Sequence, residues 1–517
     1  MNGAEILIKT AIAAGIEVCF VNAGTTELPV VTAFDSIPGI KPILGLFEGV
    51  CTGSADGYGR MMDRPAMTLL HLGPGFANGI ANLHNARRAH TPVFNVIGEH
   101  ATWHRGADAP LTMDIEALTG TVSGWQCTSK SIETLSRDIA NGIANAWYGQ
   151  IASLIVPNDH LLTECIDESI SPPKFSFDPV DSDSIEKAAQ LFRNNKKVAL
   201  MLGARALRKQ GLQAAARIKN ATGCDLFTET FPGYMERGVG LPVVERVPYF
   251  PEKATARLSQ YQAVILAGSK EPVTFFGYQG IDSEILKKNQ LKIHIGTGRQ
   301  NVVEALEYLA DALNTQGFVK KAGNILAELT PLELPQGELT GEKACRILAA
   351  LQPENAIIVD EGITTSFDYY PLTGGIAPHS LMAISGGSIG YGMPCALGAQ
   401  VACPDRPVIN LQADGSALYT VQALWSEARE SLNVTTLICS NRSYHILDLE
   451  LLRSGITSPG PRALSLIDLI DPSIDWVKIA SGLGVPAVSV STAEGLTREL
   501  GRALQEPGPH LIEMVLK

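Results

Sequence analysis

The sequence has no two cysteines in C-x-x-C spacing; its nine cysteines are scattered between Cys19 and Cys439. An odd count in a chain of 517 residues argues against a disulfide framework, and they read as small buried apolar residues. No uninterrupted run of about 18 apolar residues exists to span a membrane. The opening stretch MNGAEILIKTAIAAGIEVCFVNAG has no charged n-region and no A-x-A site, and reads as a helix followed by a strand rather than a secretion signal. No basic cluster stands out against a formal charge of −12, which argues against nucleic acid as the main partner. No G-x-G-x-x-G follows a first strand, which disfavours a dehydrogenase of the dinucleotide-binding type. Short internal repeats and low-complexity tracts are missing as well. The expectation is a soluble cytoplasmic protein.

What is present is alternation. Apolar runs of strand length (EVCFVN, AMTLLHL, PVFNVIG and SLIVP in the first third) are separated by helical patterns such as 55–62 and 78–89. This favours parallel sheets covered on both faces. Two Pro-rich, aperiodic stretches, ISPPKFSFDPVDSD at 170–183 and LTPLELPQGELTG at 329–341, read as linkers. Between them VALML, AVILAG and KIHIG are strand candidates; after them come AIIVD, LMAIS, PVINLQ, VTTLIC, AVSVS and HLIEMVL. The expected fold class is α/β with three doubly wound parallel-sheet domains, at 1–170, 184–328 and 342–517.

The strongest local signal lies in the third domain. The strand PVINLQ runs into ADGSALYTVQALWSEARE at 413–430, whose helix would carry Leu418, Val421, Ala423, Leu424 and Trp425 as its apolar face. A second strand, VTTLICS, then delivers Asn441 in SNRSY. Asp414 and Asn441 thus stand at the C-terminal ends of two strands joined by one crossover, the edge at which open parallel sheets bind ligands. Mg²⁺ takes oxygen ligands, which Asp414, Asn441 and the backbone carbonyl of Ser443 offer. Gly415 and Ser416 would open the helix, whose N-terminal amides favour an anionic diphosphate. Asp414 and Asn441 are 27 residues apart. The segment resembles the thiamine-diphosphate-dependent enzymes, whose motif is GDG, about 25–30 residues, then N. Ala413 stands for that family's first glycine and Ser440 for the first asparagine of its usual NN.

The first domain matches the same family. LFEGVCTGSADGYGRM at 46–61 resembles its HEQ-A-…-ADGYAR segment, with Glu48 eight residues before Asp56. The resemblance implies that Glu48 bonds N1′ of the cofactor's aminopyrimidine and promotes loss of the C2 proton, a task for a buried carboxylate of matched pKa. VNAGTTELP at 21–29 resembles a turn of benzoylformate decarboxylase. LHLGPGFANGIANLHNA at 70–86 combines that enzyme's L-H pair with the G-P-G-x-x-N of acetohydroxyacid synthases. PENAIIVDEGITTSF and SGGSIGYGMPCALGA extend the likeness into the third domain. Carried over, it places Asn22, Gly24, Thr25, Asn78, Thr364, Gly387, Ile389, Gly415, Ser416 and Ser443 against the cofactor, with Ile389 bending it. The metal ligands are Asp414, Asn441 and Ser443. It also implies a homodimer or homotetramer in which Glu48 of one chain meets cofactor held by Asp414 of another.

The implied reaction is decarboxylation of a 2-keto acid to an enamine, which is protonated to an aldehyde or added to a second carbonyl. His71 aligns with the proton-transferring histidine of benzoylformate decarboxylase, and Thr25 could bond the substrate carboxylate. Phe275, Phe276, Ile446 and Glu450 are further candidates for the substrate pocket. The second active-site histidine of benzoylformate decarboxylase has no counterpart in EPVTFFGYQGID, and Leu447 replaces a glutamate of pyruvate decarboxylases. The flavin-contact pattern of acetohydroxyacid synthases is not found around 202–209 or 267–274, so FAD is not expected. Glu99, His100 and His104 form a polar cluster that reads as a loop rather than a metal site. Two other readings remain open: a lyase of 2-hydroxyacyl thioesters, and a non-catalytic relative that binds the cofactor.

Overall fold

The computed structural model describes residues 1–165, 175–314 and 325–517. Residues 166–170 of the first expected domain, 170–174 of the first expected linker and 315–324 of the middle domain lie outside them. The chain divides into two compact units: Met1–Phe175 with Leu332–Tyr370 and Ile384–Lys517, and Ser176–Pro331 with Pro371–Ala383. No helix among the described residues is long and apolar enough to cross a membrane.

The first unit carries two parallel sheets. One has the strand order Lys41–Leu44, Val18–Asn22, Ala66–His71, Val93–Glu99, Ile151–Pro157, Trp125–Thr128. Its central strands Val93–Glu99 and Ile151–Pro157 are buried at every position, as apolar runs covered on both faces must be. Leu7, Phe94, Ile139 and Leu154 are among the residues that close its core. The strands of the other sheet that belong to this unit run Ala487–Val490, His510–Val515, Val434–Ser440, Val408–Ala413, Ile357–Glu361, with the pairings among these strands parallel. The second unit holds a five-stranded parallel sheet centred on Val198–Leu202. It also holds an antiparallel pair, Met235–Arg237 with His379–Ala383, which takes up the LMAIS run. The fold is α/β with mainly parallel sheets, as the alternation of apolar runs implied.

Within the first unit, helix Glu48–Met62 packs against helix Gly392–Ala402. The contact is backbone to backbone: a Cβ on Gly57 would lie 2.1 Å from the Cys395 carbonyl oxygen, and one on Gly398 1.9 Å from that of Ser54. Beside it, Arg60 donates through Nε to Asp56 Oδ1 (2.8 Å) and through Nη2 to Oδ2 (2.6 Å). Arg60 Nη1 reaches the Tyr391 hydroxyl at 3.0 Å, and the Thr91 hydroxyl donates to Asp56 Oδ1 at 2.6 Å. The ADGYGR run is therefore a structural weld as well as a signature.

One buried acid stands apart from all this. Glu427, in helix Ala423–Arg429, is 1% exposed, and neither carboxyl oxygen has a hydrogen-bond partner among the described residues. Burial pushes its carboxyl well above the usual range. The folded state then binds a proton that the unfolded chain gives up near pH 4.3, so stability falls as pH rises above about that value. Glu427→Gln is expected to flatten the decline of the thermal midpoint between about pH 5 and 8, because an amide does not titrate. Parallel slopes for the variant and the parent chain in a pH series of melts would refute it.

Candidate functional site

At the C-terminal edge of the first sheet, strand Val18–Asn22 ends in Asn22, whose amide donates to the Gly45 carbonyl at 2.8 Å. That bond fixes the loop leading into Glu48, the first residue of its helix. Glu48 Oε2 accepts from the Asn78 amide at 3.0 Å. His71 ends the next strand, Ala66–His71. A Cβ placed on Gly75 would lie 3.2 Å from Glu48 Oε1 and 3.3 Å from the His71 Cβ, so both residues crowd the same bare stretch of helix Leu72–Arg88. Thr25 is exposed.

A residue not singled out from the sequence organises this edge. Glu27 is fully buried and accepts from the Gly24 N–H (2.8 Å) and from the Thr26 hydroxyl. His71 Nδ1 lies 2.8 Å from Glu27 Oε2 and 3.2 Å from the Thr26 hydroxyl. The hydrogen bond to the Glu27 carboxylate raises the His71 pKa against the opposing effect of burial, and the Glu27 and Glu48 charges add to it. Gly24 is required here, since a Cβ would stand 2.4 Å from the His71 ring. The VNAGTTELP run marks a turn, but nothing in it says that Glu27 points inward.

The second cluster lies at the C-terminal edge of the other sheet. Ala413 pairs with Cys439 on the neighbouring strand, which brings Asp414 and Asn441 out side by side. Asp414 is 2% exposed; its Oδ1 accepts from the Gly415 N–H (2.8 Å) and its Oδ2 from the Arg442 N–H (2.7 Å). Burial raises its pKa against those two bonds. The Asn441 Oδ1 accepts from the Ser443 N–H at 3.1 Å. A cleft of about 340 Å³ opens here, and Thr364, Ile389, Asp414, Gly415, Ser416, Asn441, Ser443 and Ile446 all line it. Tyr419, Tyr444 and His445 line it too, without having been named from the sequence.

The crossover departs from expectation. The single helix expected within 413–430 is two short ones, Asp414–Ala417 and Ala423–Arg429. The break comes where the Thr420 hydroxyl turns away to donate to the Gly390 carbonyl at 2.9 Å. Leu418, expected on the apolar face, is 41% exposed. A four-residue helix offers backbone donors at Gly415 and Ser416 but little macrodipole.

Other candidates sit elsewhere. Glu450 is set against Arg453 at 3.3 Å and does not line the cleft. Phe275 and Phe276 belong to the second unit, where the Phe275 ring packs on Phe231 (5.4 Å) and Tyr249 (5.0 Å). Gly387 has φ +71° in the loop that carries Ile389. Glu99 lies 3.6 Å from Arg105 and accepts from the His100 N–H, while the His100 and His104 rings meet edge to face at 5.3 Å.

A bound divalent cation and a diphosphate fit the second cluster. The donors are a buried carboxylate, an amide oxygen and backbone groups, all oxygen toward the metal, which suits a hard ion. Asp414 is a buried acid that faces no cationic side chain in the cleft lining, so a bound cation would complete its charge balance.

Comparison with known proteins agrees with this arrangement. The chain matches the family model of the thiamine pyrophosphate enzyme N-terminal TPP binding domain over residues 1–118. It matches that of the C-terminal TPP binding domain over residues 369–514. It is 45% identical over its whole length to IlvX of Mycobacterium tuberculosis, named for an acetolactate synthase large subunit, and covers 99% of that protein. It is 26% identical to benzoylformate decarboxylase of Pseudomonas aeruginosa, across 97% of this chain and 96% of that one. Its fold is that of a 4-hydroxybenzoylformate decarboxylase from Rhodococcus jostii RHA1, with a TM-score of 0.87 at 24% identity over 100% and 99% of the two chains.

Proposed function

The chain belongs to the thiamine pyrophosphate enzyme family, and from that premise we propose that it is a Mg²⁺-dependent decarboxylase or carboligase of 2-keto acids. The observation that carries the reading is the cleft that gathers Asp414, Asn441 and Ile389, with Glu48 and His71 in a second cluster outside its lining. When bound, thiamine diphosphate would supply a nucleophilic carbon and an electron sink for decarboxylation of a 2-keto acid.

The chain's own residues have separable tasks in this reading. Asp414, Asn441 and the Ser443 carbonyl hold the metal, and Thr364, Gly415 and Ser416 bind the diphosphate. Ile389 would pack against the cofactor from the cleft wall. Glu48 shares a proton with the pyrimidine N1′, and Asn78 keeps its carboxylate oriented. Glu27 orients the His71 ring through Nδ1, leaving Nε2 to move protons to and from substrate. Thr25 meets the substrate carboxylate. The cleft takes no lining residue from the first 118 residues, which supports an assembly in which Glu48 of a second copy completes the site. The three-domain division at 1–170, 184–328 and 342–517, a homodimer or homotetramer, and a cytoplasmic location belong to the same proposal.

Purified protein with thiamine diphosphate and Mg²⁺ is expected to release CO₂ from pyruvate or benzoylformate. Mass spectrometry, with and without an added aldehyde, would identify the aldehyde or hydroxyketone formed. Absence of CO₂ and of any product across a panel of 2-keto acids would sink the proposal.

A further inference from the structure

The loop that carries Ile389 has no regular structure, yet its peptide groups are held by buried side chains from three segments. The Gly390 N–H donates to Glu361 Oε1 at 2.7 Å, and the Gly392 N–H to Oε2 at 2.6 Å. Gln412 Nε2 donates to the same Oε2 at 2.9 Å. The Gly390 carbonyl accepts from the Thr420 hydroxyl (2.9 Å) and from Asn82 Nδ2 (3.2 Å). On the other side of Ile389, Asn85 grips both ends of Ser388: its Nδ2 donates to the carbonyl at 2.7 Å and its Oδ1 accepts from the N–H at 3.2 Å. Glu361 and Asn85 are 0% exposed, Thr420 2% and Asn82 3%.

The turn has a positive-φ glycine on each side of Ser388 and Ile389, Gly387 at +71° and Gly390 at +92°. Satisfying its peptide groups would take a single partner at each end. Here Gly390 has one partner at its N–H and two at its carbonyl, each from a different part of the chain. Such over-determination fixes the direction of the preceding side chain, and that side chain is Ile389 in the cleft wall. Asn82 extends the hold further, since its Nδ2 also donates to the Gly49 carbonyl at 2.9 Å, in the first turn of the helix that Glu48 opens.

We infer that Glu361, Thr420 and Asn82 are positioning residues that clamp the Gly390 peptide and so fix Ile389 against the thiamine diphosphate. This rests on the cofactor reading above. None of the three needs to touch the cofactor; they act through Ile389.

The test titrates full-length protein with thiamine diphosphate at saturating Mg²⁺, read by quenching of tryptophan fluorescence, which is independent of turnover. Thr420→Val keeps the shape and removes the donor. It is expected to weaken cofactor binding about tenfold, with Thr420→Ser restoring it to within about twofold. Asn82→Ser serves as a second probe with the same expected direction should the valine variant not fold. In an Ile389→Ala background, Thr420→Val should add no further loss, because the clamp then has nothing to hold. Wild-type protein that does not bind the cofactor overturns both this inference and the reading beneath it. Wild-type binding with undiminished affinity in the Thr420→Val and Asn82→Ser variants overturns the inference alone, as does a Thr420→Val loss of the same size with and without Ile389.

Discussion

Asp56→Ala is expected to lower the unfolding free energy of the first unit by about 3–5 kcal/mol, the cost of removing one partner of a buried ion pair. The side chains of Asp56 and Arg60 are 0% and 1% exposed, and the carboxylate takes two of the guanidinium's donors as well as the Thr91 hydroxyl. The Arg60 guanidinium also holds the uncharged Tyr391 hydroxyl and lies over the Tyr391 ring, 4.6 Å from its centroid, and the change takes away its paired carboxylate. An apolar replacement of both partners is less costly than removal of one, so Asp56→Ala combined with Arg60→Met should recover much of the loss. The midpoint of urea unfolding, read by circular dichroism, measures both. A drop of less than about 1 kcal/mol in the single variant would place this pair among the weak surface pairs, contrary to its burial.

Glu48→Gln is expected to reduce kcat by about 10²–10⁴-fold while leaving the fold and cofactor binding intact. The side chain is half-buried and its contact with Asn78 survives the change, since the amide oxygen of glutamine accepts the same hydrogen bond. What is lost is an ionisable group able to share a proton with the pyrimidine. Steady-state kinetics at saturating cofactor, alongside a cofactor titration, separates the two effects. A variant within about tenfold of the parent in kcat would remove Glu48 from the chemistry.

The sequence alone was enough to bring Asp414 and Asn441 together, because two polar residues at the ends of adjacent strands have a characteristic spacing. It was also enough for the central strands, which are continuous apolar runs. The edge strands Lys41–Leu44 and Trp125–Thr128 lie beyond a sequence reading, being only four residues long, the first broken by a proline and the second half polar. The break in the crossover was missed because its cause is tertiary: Thr420 bonds a carbonyl 30 residues upstream rather than its own turn. Glu27 and Glu361 escaped for a related reason. Each is an acidic residue near the end of a strand, where sequence gives the residue type but not the direction it faces. Their partners are set by turns and loops that no local pattern encodes. Glu450, whose sequence position suggests the pocket, lies 3.3 Å from Arg453 one turn along its own helix, a contact that the residue type alone does not announce.

The glycine-to-carbonyl contact between helices Glu48–Met62 and Gly392–Ala402 limits how this chain can be recombined. Its matched N- and C-terminal portions look like interchangeable modules. Yet any exchange that brings a methyl group to position 57 or 398 drives a Cβ into a backbone oxygen that has no room to retreat. A chimera built at the boundaries between the portions would therefore have to carry both helices from one parent. For design or for descent, the two helices are one inherited piece, although hundreds of residues separate them along the chain.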